Sequence, residues 1–182
     1  MPRVSQEQAR LNRQRVVEVA AALFRERGLH GVGVADIMAA AGLTHGGFYG
    51  QFANKEALAA EAFDTARAGS KERLGGLDDL LANYLSLGHV QTPGKGCPLA
   101  ALANDVAREP IGSPVRARFT DGVRDLAAAL AGLTPRAAKE RHTQQTLATL
   151  ATLVGAVVLA RAVDDEALAK ALLEAATASA AQ

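Results

Sequence analysis

Between Arg10 and Arg27 the apolar residues Val16, Val19, Ala20, Leu23 and Phe24 recur at three- and four-residue intervals, the period of one helix face. Gly28 follows them and predicts a left-handed C-cap. The next apolar cluster predicts a short helix over Val34–Ala41 with Ile37, Ala40 and Ala41 turned inward, stopped by Gly42. Thr44 stands where a hydroxyl would cap a third helix running to about Phe52. Ala53-Asn54 breaks that helix, and Asn54 is placed to cap a fourth from Lys55 to about Arg73, with Leu58, Ala62 and Phe63 inward. Residues 1–9 read as a polar, mobile tail.

Beyond Gly75-Gly76 the same periodicity predicts helices near Leu77–His89, Pro98–Arg108, Pro114–Ala131, Pro135–Arg161 and Asp165–Ala178. Glycine- and proline-rich breakers separate them, and Pro98, Pro114 and Pro135 each sit where a first helical turn tolerates proline. No tandem repeat is visible. The pattern predicts an all-α chain of about nine helices: a three-helix head over 10–54, a connecting helix over 55–73, and a helical body over 74–182.

Composition agrees. Of 182 residues, 49% are apolar and only 4% aromatic, an Ala-, Leu- and Val-rich mixture that favours helices and fills a core. The net charge of +1 hides an asymmetry. Residues 1–55 carry seven Arg and Lys against four Asp and Glu, while the remainder is slightly acidic. A basic first third points to a polyanion partner there. The single cysteine, Cys97, excludes an intramolecular disulfide and suggests a reducing compartment. No secretory leader is apparent, and the most apolar stretch, Thr146–Ala160, is short for a bilayer span. The expectation is a soluble, cytoplasmic protein with no membrane partner.

The segment Gly42-Leu43-Thr44-His45-Gly46-Gly47-Phe48-Tyr49 carries the functional signal. A tight glycine turn between two short helices is the helix-turn-helix pattern. Gly42 permits positive φ, Leu43 supplies an apolar anchor, and Thr44 opens the recognition helix. Gly46 and Gly47 together cost that helix about 2 kcal/mol of propensity relative to alanines. A face that must approach DNA closely accepts this; a core helix has little reason to. Thr44, Tyr49 and Lys55 are suited to phosphates.

The positions Val16-Val19-Ala20-Leu23-Phe24, Gly28, Ile37-Ala40-Ala41-Gly42-Leu43-Thr44, Gly46, Phe48-Tyr49, Phe52 and Asn54-Lys55-Glu56-Ala57-Leu58 resemble the DNA-binding domain of the TetR family. The resemblance covers roughly residues 12–60. It implies a dimeric transcriptional regulator, most often a repressor, whose helical body binds a small inducer. Carried over by position, Thr44, Tyr49 and Lys55 become phosphate contacts. His45, Gly46 and Gly47 lie at base edges, and Gln51 stands where relatives often have His. His45 replaces a common Lys, and Gly33 replaces a usual Ser or Thr cap. Direct base readout then rests on few side chains, with Gln51 suited to adenine and His45 to guanine or phosphate, and DNA shape contributes the rest.

Outside that motif the chemistry is sparser. Arg3, Arg10, Arg13 and Arg15 suit either the minor groove or a solvated face. Cys97 lies in Gly94-Lys95-Gly96-Cys97-Pro98, at a predicted helix start beside a lysine. That setting fits either a reactive, sensing thiol or a small packed residue. Gly96-Cys97-Pro98-Leu99 resembles a feature of some relatives that sense electrophiles or oxidants. His89, Asn104, Asp105 and Arg108 are candidates for an effector pocket, or surface groups. A thiol enzyme using Cys97 with His89 lacks an evident orienting residue, so no catalytic role is assigned. No cluster has metal-ligand spacing, and no metal or cofactor is expected. The last two helices, about 136–161 and 165–178, are apolar on more than one side, which predicts a homodimer through a four-helix bundle. The expected partners are therefore operator DNA, a second copy of the chain and a small-molecule effector.

Overall fold

The computed structural model describes residues 6–71, 76–133 and 139–181. Among them are nine α-helices: α1 (Gln6–Arg27), α2 (Val34–Ala40), α3 (Lys55–Lys71), α4 (Leu77–Tyr84), α5 (Leu87–Gln91), α6 (Pro98–Arg108), α7 (Pro114–Leu133), α8 (Lys139–Ala162) and α9 (Glu166–Ala180). The expected all-α architecture is present, but the nine are composed differently. Thr44–Phe52 forms no α-helix; it holds a single 3₁₀ turn over His45–Gly47. The stretch expected as one helix over Leu77–His89 is two, broken at Leu85-Ser86, where the Ser86 hydroxyl accepts the His89 amide at 3.1 Å. Residues 6–9, expected in a tail, belong to α1. Arg3, Arg73, Gly75 and Pro135 lie outside the described residues.

The helix ends follow local chemistry. Gly28 adopts φ +78° and closes α1, its amide donating to Phe24 O at 2.8 Å. Gly42, at φ +73°, closes α2 with a pair of bonds, Gly42 N–H to Ala39 O and Leu43 N–H to Met38 O, each 2.9 Å. This is the Schellman arrangement, and it tucks Leu43 against the core. On α2 the buried residues are Ile37 and Met38; Ala40, expected inward, is exposed. Asn54 Oδ1 accepts the Ala57 amide at 2.8 Å and caps α3, and Asp165 caps α9.

Two hydrophobic cores form. The first joins α1, α2, the 48–52 segment and α3 to α6 and α7 through Leu99, Leu102, Val106 and Val115. The second joins α4, α7, α8 and α9 around Leu130, Leu153 and Val157. Cys97, Val123, Leu126 and Val154 pack against both. The expected head therefore shares its core with α6 and α7 of the expected body. Among the described residues one helical stretch, His142–Ala162, is long and apolar enough to cross a membrane, longer than the 146–160 run suggested, and 28% of its apolar window is buried.

Candidate nucleic-acid interface and effector cavity

The turn and the segment after it make one exposed surface. Thr44, His45, Gly46, Tyr49 and Gly50 are exposed, and Tyr49 keeps 68% of its accessible area. Phe48, between them, is buried at 1%. It stacks on Phe52 at 5.4 Å and anchors the segment from beneath. The hydrogen bonds explain why no α-helix forms. Gly47 N–H donates to Thr44 O and Phe48 N–H to His45 O, both three residues back. Thr44 makes no side-chain cap bond. Three glycines in five positions, 46, 47 and 50, remove the propensity that would lengthen the turn.

His45 and Tyr49 pair edge to face with centroids 5.9 Å apart, a small aromatic ridge on an otherwise bare surface. A Cβ added at Gly46 would meet nothing within 4 Å, so sterics within the chain do not require glycine there. Gln51 is turned the other way. Its Nε2 donates to Gly47 O at 3.1 Å and its Oε1 is buried without a partner. It braces the segment from inside. Lys55 lies at the start of α3 with Nζ 5.9 Å from the centre of the Phe24 ring. Arg13 is committed elsewhere, 2.6 Å from Glu61 Oε1 and stacked 4.6 Å over Phe52. The Asp36 carboxylate accepts the Gly33 amide at 3.0 Å, so the start of α2 is bonded in spite of the missing hydroxyl.

In the body a cavity of about 560 Å³ opens between α3, α4, the 92–97 loop, α6 and α7. Its walls include Phe63, Leu80, Tyr84, Cys97, Leu99 and Leu126. It lies on the seam of the two cores: Phe63 and Leu99 belong to the first, Leu80 to the second, and Leu126 and Cys97 touch both. Of the five residues expected at an effector site, His89 and Cys97 line this cavity. Asn104 is exposed and lines a second cleft of about 670 Å³ between α1, α5, α6 and the α8–α9 corner. Asp105 faces Gly28, and Arg108 is exposed with its guanidinium on Asn104 O.

The surroundings of Cys97 are defined by backbone bonds. Its amide donates to His89 Nε2 at 2.9 Å, and His89 Nδ1 lies 2.6 Å from Tyr84 O. An amide can only donate and a carbonyl only accept, so His89 is the neutral Nδ1–H tautomer with both nitrogens engaged. Its acceptor nitrogen is therefore spent on the Cys97 amide. The Tyr84 hydroxyl is buried without an oxygen or nitrogen partner. Burial, then the neighbouring Cys97, hold its pKa well above the usual phenol value, against a smaller opposing pull from Arg161. Arg161 reaches from α8 to the end of α5, donating to His89 O at 2.8 Å and Val90 O at 3.2 Å. Burial lowers its pKa, and its Nη1 is buried without a partner.

Sequence reading missed Tyr84, Arg161 and Gly96. A Cβ at Gly96 would lie 2.7 Å from His89 Nε2 and 2.8 Å from Arg161 Nη2, so glycine is the residue that admits both. Gly96 O in turn accepts Arg25 Nη1 at 2.9 Å. The cavity wall is thus bonded directly to α1. A second link joins His30 Nε2, just past α1, to Glu109 Oε1 at the end of α6, 2.9 Å apart. The partners are 71 and 79 residues apart in sequence, beyond the reach of any periodicity argument.

Among the described residues no group of three or more His, Cys, Asp or Glu side chains could hold a metal ion. Residues 16–62 match the model of bacterial regulatory proteins of the tetR family. No curated protein matches the sequence. Solved structures match over nearly the whole chain. A TetR-family transcriptional regulator from Cytophaga hutchinsonii superposes with TM-score 0.77 at 23% identity, covering 99% of this chain and 97% of that one. A TetR transcriptional regulator from Chloroflexus aurantiacus J-10-FL gives 0.72 at 28% identity, covering 97% and 95%. The reduced form of E. coli NemR gives 0.74 at 22% identity, covering 93% and 94%. Residues 16–62 therefore belong to the tetR family of bacterial regulatory proteins, and the chain as a whole has the fold of that family's transcriptional regulators.

Proposed function

We propose that this DNA-binding regulator is a homodimeric repressor that holds a palindromic operator through two copies of its head and releases it when a small molecule occupies the body cavity. The observation that carries this reading is the position of that cavity. It sits on the seam between the two cores, and its Gly96 wall is hydrogen-bonded to Arg25 of α1. A ligand that wedges the seam open favours a different head orientation, and the difference in its affinity for the two orientations is the coupling energy.

On the DNA side, the hydroxyls of Thr44 and Tyr49 and the Lys55 ammonium are assigned to phosphates. His45, Gly46 and Gly47 are assigned to base edges. Gln51 is reassigned from adenine reader to internal brace, because its amide nitrogen is spent on Gly47 O. The dimer is assigned to α8 and α9. Leu147, Leu159 and Leu168 are 49, 53 and 47% exposed, and Ala148, Ala151, Ala167 and Ala171 beside them are exposed too. Small residues of this kind let two copies of the helix pair approach closely. A second copy, rather than a bilayer, is the cover assigned to this face, consistent with work on DNA in the cytoplasm.

The test compares the protein's own upstream DNA with random DNA by fluorescence anisotropy at moderate salt. The palindromic fragment is expected to bind at least about a thousandfold tighter, the low end of specific over non-specific binding. Equal binding overturns the reading. A second route to the same switch is favoured by the place of Cys97 in the cavity wall. Alkylation of that thiol would occupy the cavity covalently. A Cys97→Ser variant that still releases DNA with every compound active on the unmodified protein removes this route.

A further inference from the structure

We propose that the body cavity selects an uncharged, mainly apolar molecule and discriminates against the same skeleton bearing a full charge. The inference rests on the cavity being the effector site, and it adds the chemistry of the ligand. Phe63, Leu80, Leu99, Leu126 and Ala129 supply apolar wall, and about 560 Å³ lies within the range of small-molecule sites.

The charged groups in the wall are already satisfied by the chain itself. Arg67 is held between Asp64 Oδ1 at 3.0 Å and Asp125 Oδ2 at 2.5 Å. An anion would have to displace one carboxylate, and a cation would have to displace the arginine. His89 is neutral and doubly bonded. The Asn83 amide donates to Asp79 O at 2.8 Å and the Thr92 hydroxyl to Gly88 O at 2.6 Å, so these donors at the wall serve the backbone. Burial holds the Tyr84 hydroxyl in its neutral form. Lys95 is exposed and is itself engaged within the chain. A charged ligand entering this cavity loses its hydration and finds the charged side chains of the lining already engaged, with Arg161 behind Gly96 and outside the lining, whereas a neutral one loses little.

N-phenyl-1-naphthylamine and 8-anilinonaphthalene-1-sulfonate test this directly, because they share one skeleton and differ by a sulfonate. Each is titrated into the full chain by fluorescence without DNA. Cys97, the sole cysteine, reports occupancy through its rate of maleimide labelling. The neutral probe is expected to bind at least about tenfold tighter and to slow labelling several-fold. Ala129→Phe, which fills the cavity, is expected to weaken it at least about tenfold, and Ala128→Phe on the exposed side of α7 to leave it unchanged. The proposal is overturned if the sulfonate binds as tightly or more tightly on the unmodified protein, a comparison that depends on no variant. It is equally overturned if neutral-probe binding ignores Ala129→Phe while Cys97 labelling is unchanged. Operator release is measured separately with each probe. Release by the sulfonate alone would sink the ligand class and leave the effector reading standing.

Discussion

The two cores of this molecule are built from different materials. All five phenylalanines of the chain belong to the first core or pack against it: Phe24, Phe48, Phe52, Phe63 and Phe119. The second core has Leu, Ala and Val in its interior, with Tyr84 at its edge. Large rigid rings at fixed spacing hold α1, α2 and the 44–52 segment in one shape, which a surface that must fit DNA requires. Small aliphatic residues make smooth helix faces that can slide or pair. The same α8 that lines the second core carries Leu147 and Leu159 half-exposed on its other side. One core carries the phenyl rings, and the other turns a half-exposed aliphatic face outward.

The sharpest way to break that contrast is at the outer face of the second core. Leu159→Glu, in both copies at once, is expected to convert the dimer to monomers by sedimentation equilibrium, with helix content unchanged. Loss of the second half-site then lowers operator affinity by about 100-fold or more. An unchanged dimer would place the interface elsewhere.

Next in size are truncations of the two interiors. Phe48→Ala is expected to cost about 3–5 kcal/mol and Leu153→Ala about 2–5 kcal/mol, since both side chains are almost fully buried. Because α6 and α7 contribute to both cores, each variant is expected to shift one common unfolding transition. Two separable transitions in calorimetry would instead show that the seam uncouples the cores.

The head was legible in the sequence because its determinants are local. Gly28, Gly42 and Asn54 end or begin helices through bonds spanning three to five residues, and a pattern reader sees that range. The recognition segment was over-read for the same reason. Its spacing is helical, but over 44–48 the bonds span three residues, and Gly46 and Gly47 add no propensity to lengthen them into an α-helix. Gln51 looked outward by position and is inward by one side-chain bond to its own segment. In the body the helices were legible and the cavity was not. Tyr84, Cys97 and Arg161 come from three elements, and the Arg25–Gly96 and Arg161–His89 bonds join positions about seventy residues apart. Periodicity carries no information at that distance.

A smaller effect separates backbone strain, at Gly42 in the head, from packing, at Gly96 in the cavity wall. Gly42→Ala introduces a Cβ that meets nothing within 4 Å, so only the φ of +73° opposes it. The expected loss is about 1–2 kcal/mol by chemical denaturation. Gly96→Ala meets the opposite condition, ordinary φ but a crowded Cβ against His89 and Arg161. It is expected to cost about 1–3 kcal/mol and to weaken the response of DNA binding to the cavity ligand. If Gly96→Ala leaves that response intact, the wall is not the route between cavity and head.

The smallest effect tests how the head uses its charge. Lys55 sits above the Phe24 ring at the start of α3, where a cation opposes the helix dipole. A phosphate would repay that opposition; the ring alone does so weakly. Lys55→Gln is therefore expected to lower operator affinity only several-fold, and by a similar factor for every sequence, because a phosphate contact carries no base information. Its distinctive mark is the salt dependence. The slope of log K against log salt is expected to fall by about one per protomer, whereas loss of a ring contact within the protein would lower stability and leave the slope where it was. His45→Ala supplies the contrast, with a sequence-dependent loss if that ring reaches a base edge. A Lys55 variant with an unchanged slope would make this lysine a packing residue over Phe24 instead.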